Sequence, residues 1–243
     1  MPRSLLSQYN WYSAPHKYLR HALFEYLDGL GRANFSDLES VNEIKQDFVN
    51  IKTLLLGHGS HEEAVYHPLL KDEAPALYGE AEHECLDAQL RQIEALLSGL
   101  VLPKAAGPSI CERVAEGRLI YLEFSSFYAR YMQHLIQEER VLMPAMRQIH
   151  GVDKLREVTF TTYRHMTPQQ MVDMLGHLYP CLNIQEKAVF LLDIGDSDAF
   201  YQEKDADYGA KFPFVWQQVQ EQNLLSQSEI SLLGDVILEF QKI

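Results

Sequence analysis

The chain has 243 residues, 47% of them hydrophobic, which suffices for one large core domain with or without a smaller appendage. Aspartate and glutamate outnumber lysine and arginine by 34 to 21, and the net charge of −13 repels phosphate backbones and anionic lipid, arguing against nucleic-acid and membrane-surface partners. Cys85, Cys111 and Cys181 stand far apart without a CxxC pair, the first residues lack a signal-peptide core, and no stretch approaches the ~18 apolar residues of a membrane span; a soluble, cytoplasmic protein is expected.

Helical signals dominate. The first predicted helix runs from after Pro15 to Gly31, with Leu19, Leu23, Tyr26, Leu27 and Leu30 on its inner side. Ser36-Asp37-Leu38-Glu39 reads as a capping box opening the second helix. Along it Ile44, Phe48, Ile51, Leu54, Leu55, Glu62 and Tyr66 keep helical spacing, and Pro68 to Pro75 closes it. The third helix covers about Leu77 to Leu97 and ends at Gly99; the breaker-rich stretch Val101 to Pro108 follows. Ser109-Ile110-Cys111-Glu112 is a second capping box, and the helix it opens should pass Glu139 and kink or end near Pro144. The fold expected over residues 12–148 is all-α, an up-down-up-down four-helix bundle. Beyond it, residues 151–243 read as a helical extension packed on the bundle and open to a protein partner, with reciprocal caps at Thr167–Gln170 and Asn183–Glu186.

Two stretches within the bundle repeat one pattern. His58-Gly-Ser-His61-Glu62-Glu63 and His134-Leu-Ile-Gln-Glu138-Glu139 are both H-x3-E-E, each followed by a proline, Pro68 or Pro144. A histidine and a carboxylate four apart share one helix face, so each pair can hold a metal. A quieter repeat, H-x2-L-x3-L, places His16 on the first helix and His83 on the third. In an antiparallel bundle, ligands at one level are equidistant from the turn that joins their helices. The midpoint of His58 and His83 falls between Leu70 and Lys71, inside the predicted turn, and that of His83 and His134 falls at Pro108–Ser109. For His16 and His58 it falls at Asp37, just past the turn.

Singly, a helical histidine is most often a surface or core residue; two pairs and two further histidines at matching levels point instead to one dinuclear site. The candidate ligands are His16, His58, Glu62, His83, His134 and Glu138. Four neutral imidazoles and two carboxylates suit borderline first-row metals better than calcium or magnesium. With both carboxylates bridging and two imidazoles per metal, an oxo or hydroxo bridge between two iron ions is electrostatically favourable, and an open position remains for a diatomic or peroxide ligand. His21, His61 and His67 are read as non-ligands, His67 facing away from the site, although His61, Glu80 or Glu82 could add a ligand. Glu63 and Glu139, turned by about 100° from Glu62 and Glu138, are read as outer or solvent contacts. Tyr66 and Tyr131 are read as core packing near the ligand stripe, His165 and His177 as surface or packing residues.

On these residues the sequence resembles the hemerythrin-like, or HHE cation-binding, family; the motifs are His16-x2-Leu19-Arg20, His58-x3-Glu62-Glu63, His83 and His134-x3-Glu138-Glu139. The resemblance implies a four-helix bundle around a non-haem di-iron centre that binds oxygen or related small molecules. Oxygen-carrying hemerythrins have HxxxH on the third helix, where this chain has Gly79 four residues before His83. They also place the last carboxylate five residues after its histidine, a place Glu139 could fill. The four-histidine, two-glutamate set is more similar to di-iron proteins of iron–sulfur cluster repair. The functions implied are binding or sensing of oxygen, nitric oxide or peroxide, or alternatively repair or reduction by a di-iron enzyme. A structural zinc needs fewer ligands than are present. The lack of a flavin fingerprint or CxxC favours binding over turnover.

Overall fold

A computed structural model describes residues 10–71, 74, 80–100 and 109–241. Among them there is no strand. Four long helices come first: α1 (Ser13–Arg32), α2 (Leu38–Val65), α4 (Glu80–Gly99) and α5 (Ile110–Gln137), with the single turn α3 (Pro68–Lys71) between the second and third. A π-helical turn (Glu138–Leu142) follows α5 directly. Then come α6 (Met143–His165), α7 (Pro168–Leu178), a 3-10 turn (Tyr179–Cys181), α8 (Ile184–Lys204), α9 (Phe212–Glu221) and α10 (Gln227–Gln241). None of the described helices is long and apolar enough to cross a membrane. The expected start of the third helix at Leu77, Gly79 and the Val101–Pro108 loop lie outside the described residues.

The chain divides into two compact units, Leu19–Leu142 and the combination of Met1–Tyr18 with Met143–Ile243. In the first, each long helix buries a stripe at three- and four-residue spacing, the pattern of a bundle seam. Leu19, Leu23, Tyr26 and Leu30 come from α1; Val41, Ile44, Phe48, Ile51 and Leu55 from α2. The opposite helices supply Leu86, Leu90, Ile93 and Leu97 from α4 and Ile120, Phe124, Phe127 and Tyr131 from α5. Gly117 admits Phe35 to this core: a Cβ there would lie 2.2 Å from the ring.

The caps are set locally. Ser109 and Glu112 form the predicted reciprocal pair at the start of α5, as do Thr167 with Gln170 and Asn183 with Glu186. At α2 the cap is Asp37, which accepts from the Ser40 amide, and not Ser36. The hydroxyl of Ser36 donates instead to Asn34 Oδ1 at 2.7 Å, which takes it out of the capping position. Near Pro144 the regular α-helix gives way as expected: it ends at Gln137, the widened π turn Glu138–Leu142 follows, and that turn holds the carbonyl four residues before Pro144 on which a proline ring would otherwise press. Within α6 only Gly151 departs from helical geometry, at φ 75°.

The second unit has its own core, including Phe160, Tyr163, Met171, Leu175, Ile194 and Val215. Two charged residues organise its turns. Lys211 Nζ donates to the carbonyls of Tyr163, Arg164 and Met166 at 2.9, 2.7 and 2.7 Å, supplying donors to the C-terminal end of α6. Asp198 Oδ2 accepts from the Lys211 and Phe212 amides, both at 2.7 Å, and so caps α9. His165 is exposed, and His177 is exposed with its Nδ1 2.8 Å from the Asp173 carbonyl. Cys85, Cys111 and Cys181 are free thiols.

Candidate metal centre

Polar residues continue the apolar stripes where the core would otherwise go on. On α2 the buried series Ile44, Phe48, Ile51, Leu55 is extended at the same spacing by His58 and Glu62. On α5, Ile120, Phe124, Phe127 and Tyr131 lead to His134 and then Glu138, the first residue of the π turn. His83 lies one turn before Leu86 on α4. His16 lies one turn before Leu19 on α1, fully buried, its ring stacked on Tyr12 with centroids 5.1 Å apart.

Within the Leu19–Leu142 unit these side chains converge. His58 Nε2 is 3.0 Å from Glu62 Oε1, and His134 Nε2 is 3.3 Å from Glu138 Oε1. His83 Nε2 lies 3.8 Å from both Glu62 Oε2 and Glu138 Oε1, and 3.2 Å from His134 Nε2. Glu62 and Glu138 are each only 1% exposed. Removing two carboxylates from water costs several kcal/mol each unless cations compensate them. In the metal-free chain part of that compensation is a proton on His83: burial lowers its pKa, but Glu138 and Glu63 outweigh it and raise the imidazole to about 9.

A carboxylate also stands on the other side of each ring, bonded to it at His83. His83 Nδ1 is 3.0 Å from Glu63 Oε1, and His134 Nδ1 is 3.4 Å from Glu82 Oε2. Two imidazoles thus point Nε2 at a pair of buried carboxylates while a further carboxylate backs each Nδ1, the arrangement that orients metal-ligating histidines. Ligand atoms of Glu62, His67, His83 and Glu138 lie within 4.8 Å of one another, as do those of His58, Glu62 and Glu138. The donor set fits a first-row metal centre.

The neighbours of the ligand stripe sort themselves. Glu139 Oε1 accepts from Arg20 Nη1 at 2.7 Å, so it faces α1 in an ion pair. His21 is exposed, and His61 packs edge-on against Tyr66 with ring centroids 5.8 Å apart. Tyr131 is a core residue 5.6 Å from the His134 ring, its phenol pushed well up by burial and by Glu62 and Glu138, which keeps it protonated. An open pocket of about 60 Å³ beside His83 and His134 is lined by both apolar and polar residues, among them Leu55, Leu86, Tyr131, Ser60, Glu63 and Asp87.

Two features escape a helical-wheel reading. His67, expected to face away, is 1% exposed, with Nε2 3.9 Å from Glu138 Oε1 and its ring 5.1 Å from that of His83. The wheel fails because α2 stops at Val65 and the chain turns through Tyr66 and His67; the signal available in the sequence was Pro68, which cannot continue the helix. Glu82, one residue before His83, serves the ring of His134 rather than that of its neighbour.

No curated protein and no solved structure matches the chain. The sequence model of the hemerythrin HHE cation-binding domain matches residues 8–146, more than half of it. With that match and the His/Glu cluster just described, the chain belongs to the hemerythrin HHE cation-binding family.

Proposed function

We propose that this chain is a non-haem di-iron protein that binds or senses a small molecule of the oxygen, nitric oxide or peroxide class. The observation that carries the reading is the convergence of the His58, His83 and His134 Nε2 atoms on the buried carboxylates of Glu62 and Glu138, with Glu63 Oε1 bonded behind His83 at 3.0 Å. His58, Glu62, His83, His134 and Glu138 would hold the ions, joined by His16 on the strength of its place in the repeated H-x2-L-x3-L spacing. A pair of iron ions, bridged by Glu62, Glu138 and an oxo or hydroxo group, would supply redox chemistry and an open position for an exogenous ligand. Two carboxylates offset only part of the charge of two iron ions, which favours the additional anionic bridge.

The chain's own contribution is orientation and exclusion of water. Tyr131 packs against the His134 ring, and Leu86 and Leu90 carry the apolar core up to the site. The pocket of about 60 Å³ beside His83 and His134 has room for a small ligand. Protein purified without oxygen, reduced and then exposed separately to oxygen and to nitric oxide should change its near-ultraviolet and visible spectrum with each gas, in proportion to its iron content. An iron-loaded protein whose spectrum is indifferent to both gases would overturn the proposal.

A further inference from the structure

The turn after α2 brings a fifth imidazole to the cluster. Tyr66 N and His67 N both donate to the Glu62 carbonyl at 2.9 Å, so the chain leaves the helix through a widened turn closed on the residue that carries one of the two central carboxylates. Pro68 then opens the short helix α3, whose Leu70 is fully buried and whose amide donates to the His67 carbonyl at 3.0 Å. Backbone bonds therefore hold His67 on both sides. Its side chain is buried at the cluster: 1% exposed, Nε2 3.9 Å from Glu138 Oε1, and a ligand atom within 4.8 Å of those of Glu62, His83 and Glu138.

We propose that His67 is itself a metal ligand, giving one ion of the pair the imidazoles of His67, His83 and His134 and leaving the other with His58 and the sequence-assigned His16. This rests on the di-iron reading. It also changes that reading: the four-histidine set leaves both ions equally open, whereas five histidines divide unequally, so one ion is closed more fully than the other. The ligand comes from a turn, not from the third helix, where the residue four before His83 is a glycine. A glycine offers no donor atom in its side chain, and the turn supplies an imidazole instead.

The test uses the full chain loaded with cobalt(II), which stands in for iron and shifts the imidazole N–H resonances of its ligands far outside the normal range. Wild type should bind two cobalt ions and show shifted signals from five histidines under histidine-selective nitrogen labelling. His67→Gln should keep its helical circular dichroism, lose one of the shifted signals, and bind one of its ions more weakly by more than the roughly 10–100-fold that loss of an outer partner brings. His61→Gln should bind as wild type. Two cobalt ions bound by His67→Gln at wild-type affinity, with all shifted signals retained, would overturn the assignment of His67 and leave the dinuclear site standing. Wild type that fails to bind two ions would remove the di-iron reading and this inference together. Should His67→Gln fail to fold, the wild-type signal count decides: five histidines support the assignment and four refute it.

Discussion

Proton competition at His83 gives a prediction whose size follows from the structure. Its pKa stands at about 9, with burial pulling it down and the carboxylates of Glu138 and Glu63 more than offsetting burial. The ordinary value is about 6.5, so the metal-free fold gains stability from holding this proton, of the order of 3 kcal/mol. Because the folded value is the raised one, that gain is complete below pH 6.5 and is lost as the pH climbs through 9. A metal must displace the same proton. At pH 7 affinity should therefore lie about 100-fold below its plateau and rise close to tenfold per pH unit toward 9. Cobalt(II) titrations at pH 6.5, 7.5 and 8.5, paired with denaturant melts of the metal-free protein, read both limbs. Metal affinity should rise and metal-free stability should fall across the same window. Glu63→Gln removes one of the three carboxylates that raise His83, Glu138, Glu63 and Glu62, so it should flatten both trends while weakening the metal by roughly 10–100-fold at high pH. Affinity that is level from pH 6.5 to 8.5, or metal-free stability that rises over it, would refute the reasoning.

Other outcomes follow from the same geometry. His58→Ala and His134→Ala should each lose at least one bound metal by elemental analysis, whereas His165→Ala and His177→Ala, exposed in the second unit, should leave the content unchanged. Glu62→Ala should lose the pair and Glu139→Ala should not, because Glu139 faces Arg20; equal losses would show that the assigned helical face is wrong. Gly117→Ala should destabilise the fold by about 1 kcal/mol, since displacing Phe35 costs about 1–3 kcal/mol and alanine returns about 1 kcal/mol of helix propensity. In a Phe35→Ala background the same change should stabilise by about 1 kcal/mol in denaturant melts; equal effects in both backgrounds would contradict the contact.

The bundle was readable because its stripes are regular. Ser109 with Glu112, Thr167 with Gln170 and Asn183 with Glu186 cap as their spacing requires, since each polar side chain meets its partner three residues away. Ser36 failed as a cap because Asn34 competes for its hydroxyl, a local contact that the capping pattern does not register. The positions of Glu62 and Glu138 were legible as carboxylates falling at the next turn of an apolar series. His67 was not, because a wheel projects a straight helix past the point where α2 ends. The partner of Glu82 was equally hidden: it belongs to α5 and can be found only once α4 and α5 are packed together.

The claim that a metal pair occupies the His/Glu cluster is tested most directly by iron and zinc measured together in protein purified after growth in iron-replete medium. The account predicts about two irons per chain with oxo-bridged ferric absorption in the near ultraviolet. One zinc per chain and no iron would contradict it.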